Sequence, residues 1–342
     1  MGSQAPVGGV VWHGADMNDD SSRIAWGMIA HPGDVLARDL CELFGPAEAL
    51  ARVLAPRSHA ATLSLVRGEV TGGDRKHLGT LHERYDADGV SASLLQQVRA
   101  GIGVLYPSHP AWPARLADLG EAAPLALWFR GNPEAATTLP VLAVVGSRRP
   151  SGAGLGNATS IVAGTWSEGV AVLSGGAAGI DTVAHQASLI HQRVPLCVLA
   201  GGLESVYPSE NTALMSQIEE RGAVFSEAPC GLRIRPERFL ARNRLIAALS
   251  DGVVVVEAAY RSGAINTAHH AAGLGREIGV VPGRWGDPAT RGCFRIARDV
   301  GAMVLTEAAD VAFLLPRARC LSKPMKRLPS HRGFPLPTQS GC

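Results

Sequence analysis

The sequence is short of aromatic side chains, at 5%, and of charge, at 18% Asp, Glu, Lys and Arg together. Its net charge of +2 is too weak to announce a nucleic-acid ligand by itself. Cysteine is scarce too. The six are Cys41, Cys197, Cys230, Cys293, Cys320 and Cys342, and no two form a C-x-x-C pair, so zinc finds little support. Several lie in apolar, strand-like runs, where a reduced thiol behaves as a small core hydrophobe. The chain does not open on the basic-then-apolar pattern of a secretory leader. No apolar run reaches the roughly 20 residues that span a bilayer. Cytoplasm is therefore the expected compartment, with no membrane partner. Clustered carboxylates of metal-ligand character are missing, as is a Ser or Cys nucleophile with a defined neighbour. No catalytic residue, metal or cofactor is expected, and the chain is not expected to be an enzyme.

Apolar residues make up 46% of the chain and glycines number 40, enough for a sizeable core and many tight turns. Charge is concentrated rather than abundant. From Arg317 to Cys342 there are six Lys or Arg and no Asp or Glu, which leaves the rest of the chain at −4. Arg233, Arg235, Arg238, Arg242 and Arg244 form a second cluster, interrupted by Glu237 alone. Residues 1–20 are Gly-rich and polar and are expected to be disordered. Over 21–103 the apolar spacing is helical, through Ile24, Trp26, Met28 and Ile29, then Leu40, Leu43 and Phe44, then Ala47, Leu50, Val53 and Leu54. The stretch Leu43-Phe44-Gly45-Pro46-Ala47 predicts two short helices joined by a glycine turn, a pattern of small packing modules and of helical hairpins that bind DNA backbone. Residues 104–135, with Trp112-Pro113 and the strand-like run Leu125–Phe129, are expected to be a connector packed on the next domain.

From residue 136 to 316 apolar, β-branched strands alternate with helices: Val141–Val145, Val170–Leu173, Pro195–Leu199, Ala223–Ser226, Gly252–Glu257, Ile278–Val281 and Ala302–Leu305. Strands apolar on both faces and separated by helices predict a mainly parallel, doubly wound α/β sheet. Ligands of such sheets bind beyond the carboxyl ends of the strands. The loops that fall there are small, polar or glycine-rich. Gly146-Ser147-Arg148 follows the first strand, with the next helix expected near Gly156. Ser174-Gly175-Gly176 follows the second, and Asp181 and His185 stand on the helix behind it, close enough in sequence to cap, brace the loop or pair. Asn211 opens a further helix, where it either caps or meets a ligand. Phe239 with Arg242, Asn243 and Arg244 is placed at a helix start facing the same crevice, where an aromatic beside cations suits base stacking next to phosphate pairing. Ser262, Gly263 and Thr267 open the helix after Glu257. One such loop is weak evidence; several on one sheet edge point to a phosphate-bearing ligand. The first loop is not G-x-G-x-x-G, and Ser174 stands where a ribose-binding acid would end the second strand, so a dinucleotide is disfavoured. After about Leu315, prolines 324, 329, 335 and 337 argue against a packed domain.

Read together, these residues resemble the DNA-processing protein A family (DprA, or Smf). The resemblance rests on Val145-Gly146-Ser147-Arg148, on Ser174-Gly175-Gly176-Ala177 with Gly179-Ile180-Asp181 and Ala184-His185, and on Tyr207-Pro208 with Asn211. It continues through Ser226-Glu227 with Pro229, Phe239 with Arg242-Asn243-Arg244-Leu245-Ile246-Ala247, Glu257-Ala258 with Ser262-Gly263 and Thr267-Ala268, and Pro282-Gly283. It implies an extended Rossmann-like domain preceded by a small helical domain of the SAM or helix-hairpin-helix kind. It further implies a homodimer that binds single-stranded DNA, protects it and loads the RecA recombinase in natural transformation. Gly146, Ser147 and Arg148, and Arg242, Asn243 and Arg244, would then contact DNA. The lysine frequent in the family after Tyr-Pro is Ser209 here, so the resemblance implies one phosphate contact fewer. The rival class is a nucleotide phosphoribohydrolase-like enzyme, with Glu257 and Arg148 as its acid and cation, or a nucleotide sensor. Both rivals predict tight mononucleotide binding, whereas the DNA reading predicts affinity that grows with strand length.

Overall fold

The computed structural model describes residues 19–164, 169–232 and 234–316. The expectations for residues 1–18, for Arg233 and for the basic tail 317–342 lie outside the described residues.

Six helices come first: α1 (Asp19–Ile29), α2 (Val35–Phe44), α3 (Pro46–Leu54), α4 (His59–Arg67), α5 (Gly72–Glu83) and α6 (Ala87–Arg99). Their apolar stripes close on one another through Ile24, Ile29, Leu40, Leu50, Leu63 and Leu81, all buried. The glycine turn between α2 and α3 forms as the sequence suggests. Gly45 takes φ +78°, the left-handed region that glycine enters without a Cβ penalty, and Pro46 occupies the first turn of α3. Leu43 departs from the expected stripe and faces solvent.

A nine-stranded sheet follows, in the order β1-β2-β6-β5-β4-β3-β7-β8-β9. Its strands are β1 (Gly103–Leu105), β2 (Leu127–Gly131), β3 (Val141–Val145), β4 (Ala171–Ser174), β5 (Val194–Leu199), β6 (Ala223–Ser226), β7 (Gly252–Val255), β8 (Glu277–Val280) and β9 (Met303–Val304). From β3 to β9 the pairing is parallel. The segment expected to be a connector instead supplies two strands: β2 pairs antiparallel with β6, and β1 with β2; the short helix α7 (Ala135–Thr138) then leads into β3. Three-residue β1 is too short to carry a periodic signal, which is why the sequence reads it as linker.

Alternate residues of each strand go to opposite faces. On one face, Ala143, Leu173, Leu196 and Val253 pack beneath α11 (Pro236–Leu249), α12 (Gly263–Gly273) and α13 (Arg291–Val300). On the other, Val144, Val172 and Val254 meet α8 (Gly152–Ala163) and α9 (Ile180–Ile190). Farther along that second face, Cys197, Leu199, Val224 and Trp128 meet α10 (Thr212–Arg221) and the N-terminal helices in one continuous core. Trp128 ties the two parts together: its Nε1–H donates to Gln97 Oε1 at 3.0 Å, and a Cβ on Gly27 would come within 2.6 Å of its ring. The chain builds β3 to β6 outward on one side and then crosses back to start β7 beside β3. The β3/β7 boundary is the switch point at which such sheets open a crevice.

Candidate nucleic-acid interface

A crevice of about 370 Å³ opens at that boundary, at the low end of the roughly 300–1,000 Å³ usual for ligand sites. The loop after β3 brings Gly146, Ser147 and Arg148 to it; α11 brings Phe239, Arg242 and Asn243; the start of α12 brings Ser262, Gly263 and Thr267. Ser174, Gly175, Gly176, Asn211 and Arg244, grouped with these in the sequence, do not line it.

Local geometry explains the division. Ser174 is buried and its hydroxyl donates to Val144 O at 2.7 Å. Gly175 lies against the Arg242 guanidinium, where a Cβ would approach to 2.5 Å. Gly176 has φ +68° and stands over Cys197 and Leu199. Asn211 does not cap α10. Its side-chain amide donates to Gly176 O at 3.0 Å and Thr182 Oγ1 at 2.9 Å, holding the second loop from behind. The Arg-Asn-Arg run was expected at a helix start; it sits in the middle of α11, because Pro236 opens that helix six residues before Arg242. Arg242 is only 6% exposed and donates through Nη1 to Gly175 O and Val198 O. Asn243 Nδ2 donates to Gly263 O at 3.3 Å and Asn266 Oδ1 at 3.2 Å, joining α11 to the first turn of α12. Arg244 turns away and makes a two-pronged ion pair with Glu227, Nη1 to Oε2 at 2.8 Å and Nη2 to Oε1 at 2.7 Å.

The anion site expected at the helix after β3 is answered internally. That helix, α8, starts at Gly152 rather than near Gly156, because Ser151 caps it: Ser151 Oγ accepts from Gly154 N at 3.0 Å. Buried Glu257 then accepts from Ser151 twice, its Oε2 taking the hydroxyl at 2.6 Å and the N–H at 3.1 Å. Glu257 is thus the carboxylate at the positive end of α8. Asp181 does the same for the second loop. It accepts from Gly175 N at 3.2 Å and Ala177 N at 3.3 Å, so it braces the loop instead of capping α9. The free positive charge left in the crevice is Arg148. It is exposed, makes no ion pair among the described residues, and its Cζ lies 5.0 Å from the centroid of the half-buried Phe239 ring. Tyr207 meets Phe239 edge-on, ring centroids 5.7 Å apart.

A family model, DNA recombination-mediator protein A, matches residues 103–316, beginning where β1 begins and taking in every element of the crevice. The chain belongs to that family. A putative DNA processing protein DprA of Mycobacterium tuberculosis is 36% identical over 310 residues, 86% of this chain and 75% of the relative. Among solved structures, DNA processing protein A of Streptococcus pneumoniae aligns with a TM-score of 0.67 at 27% identity, over 87% of this chain and 98% of its own. The Helicobacter pylori protein, described as binding single-stranded DNA in a distinctive mode, shares the fold, with a TM-score of 0.56 at 24% identity over 61% of this chain and 93% of its own.

Beneath the crevice of this DNA recombination-mediator protein A family member, charge is tightly managed. Burial pushes the Asp181 carboxyl up, and the facing Arg242 pulls it back. Burial, aided by Arg242, drives the His185 imidazole down to about 3. Neither ring nitrogen of His185 has a hydrogen-bond partner, so the pair with Asp181 considered from the sequence does not form. The crevice also takes in residues that sequence reading did not assign to it, among them Ala177, Leu240, Ile246 and Ala259. Leu240 is half exposed beside Phe239 and extends its apolar surface; apolar walls of this kind carry no motif, though the 239/243/246 helical spacing is visible once α11 is known to start at Pro236.

Proposed function

We propose that this protein binds single-stranded DNA in the β3/β7 crevice, without catalysis, as a homodimer that protects the strand and loads a RecA recombinase onto it. The observation that carries the reading is the juxtaposition of Arg148 and Phe239: an exposed guanidinium, without an ion pair among the described residues, 5.0 Å from a ring in an open crevice. A phosphate can take the cation while a neighbouring unpaired base stacks beside the ring, a contact that a duplex cannot make. Family membership supports the DNA ligand, and the single-stranded DNA bound by the Helicobacter pylori protein of the same fold supports the single strand. The enzyme alternative needs a free acid, and Glu257 spends its carboxylate on Ser151.

The test is a length series of oligodeoxynucleotides, single and double, against wild type and Arg148→Ala. Affinity should rise with single-strand length and exceed that for duplex. In Arg148→Ala the slope of log affinity on log salt should flatten by about 0.7, the value of one single-strand phosphate contact, equally for all sequences. Unchanged affinity and slope in a folded Arg148→Ala protein would refute the site, and a mononucleotide bound as tightly as a long strand would refute the ligand.

A further inference from the structure

A second cleft, of about 380 Å³, lies between the N-terminal helices and the start of α11. Arg84 lines one wall, Arg235 and Arg238 the other, and Glu237 is the one acidic residue of the lining. His31, Met28, Pro32 and Leu232 are among the other residues of the lining. Arg84 and Arg235 are exposed, and none of the three arginines makes an ion pair among the described residues. Among the described residues the Arg84 guanidinium makes one hydrogen bond, Nη1 to Ile29 O at 3.2 Å, which leaves its other donors for a ligand.

Helix electrostatics favour Arg84, at the C-cap of α5, but not the other two arginines. A cation is disfavoured at the positive, N-terminal end of a helix, yet Arg235 and Arg238 occupy the N-cap and first turn of α11. Burial holds the Arg238 guanidinium below its usual range; Glu227, already held two-pronged by Arg244, offsets part of that, and Arg235 adds to it. An arriving anion relieves that repulsion.

The cleft is also continuous with the first one through the helix they share. Arg235, Arg238 and Ala241 face the second cleft, while Phe239, Arg242 and Asn243 face the first. Between Arg235 and Asn243 the axis of α11 advances about 12 Å. A flexible chain of phosphates leaving the crevice at Phe239 therefore meets the arginines of the second cleft after crossing one helix. We infer that the cleft between the helical domain and α11 carries the continuation of a single strand held at the β3/β7 crevice, with Arg84, Arg235 and Arg238 meeting its phosphates. The inference rests on the reading of the crevice as a single-strand site. It gives the helical domain a part in DNA binding through its α5–α6 corner, and not through the α2–α3 hairpin.

The experiment uses the full chain, with oligodeoxythymidylates of about 4 and about 16 nucleotides, the span of single-strand site sizes. Arg84→Ala/Arg235→Ala removes two exposed side chains, and thermal melting establishes that the variant is folded. The expected result is unchanged affinity for the short strand and about tenfold weaker binding of the long one, with its salt slope flattened by about 1.4 for two lost phosphate contacts. Arg148→Ala, run beside it, should weaken both lengths. Unchanged long-strand affinity in the double variant overturns the second cleft while leaving the crevice standing. Equal losses on both lengths overturn it too, since the cleft would not then be an extension. If wild type binds neither length, the crevice reading fails and this one falls with it.

Discussion

Shortening Arg242 to Ala would take the donor from Gly175 O and Val198 O and leave Asp181 buried without the cation that faces it. Removing one partner of a buried charge pair costs about 3–5 kcal/mol. Arg242→Ala should therefore show a much lower melting temperature, whereas Arg148→Ala, altered at an exposed position, should melt within about 0.5 kcal/mol of wild type and lose binding alone. Equal melting temperatures for the two would contradict the assignment of Arg242 to structure. His185 gives an acid dependence of known sign. Its folded pKa, near 3, is depressed below the unfolded 6.5. As pH falls through that window the unfolded chain binds a proton that the folded one refuses, so stability is full above 6.5 and declines toward 3. The whole effect is on the order of 5 kcal/mol. Asp181 works against it, because a raised carboxyl pKa lets the folded chain bind its proton first as acid is added. Thermal melts of wild type and His185→Leu across that range isolate the histidine: the variant should lose stability less steeply, and parallel curves would remove His185 as the cause. These roles were only partly legible in the sequence. Arg242 and Arg244 announce their charge, but which carbonyl or carboxylate answers it depends on loops and strands far off in the chain, as Val198 and Glu227 illustrate.

The elements themselves were easier to read. Runs such as Val141–Val145 and Ala223–Ser226 are apolar on both sides, so burial on both sheet faces was written in them, and their observed bounds match. Helix starts were harder. Ser151 is an ordinary cap by type, but it follows Arg148-Arg149-Pro150, which reads as loop, and the start was set too late. In α11 the arginines before Arg242 masked the Pro236 signal in the same way. The Ser151 cap carries a second duty that sequence could not reveal, since it also satisfies Glu257, 106 residues away. Ser151→Ala should then cost more than the roughly 1 kcal/mol of an isolated cap. With the buried carboxylate losing its best donor, about 2–4 kcal/mol is expected, read as a shift in denaturant midpoint. A cost confined to the cap value would mean that water or a neighbour replaces the hydroxyl.

Across the whole molecule, the expected boundary near residue 103 divides the helices from the sheet in sequence but not in packing. Trp128, Cys197, Leu199 and Val224 are buried in the same core as α1, α3 and α6. A chain starting at Gly103 would uncover that face of the sheet, a contiguous apolar patch of the kind that drives association. It should aggregate or bind a hydrophobic dye, while the longer chain unfolds in one cooperative step; a well-behaved monomer from residue 103 onward would show that the helices are dispensable. Among the described residues no helix is long and apolar enough to cross a membrane. The two glycine-rich loops of the crevice are fastened to each other: Ile180 N–H donates to Ser147 O at 3.1 Å, and Gly179, at φ +86°, is pressed so closely on that carbonyl that no larger residue fits. Speed is the consequence. A ligand that meets a cradle already in its final shape waits for no loop to close, so capture would run at the pace of encounter. Dilute salt, by lengthening the reach of Arg148, would then quicken arrival more than it slows departure.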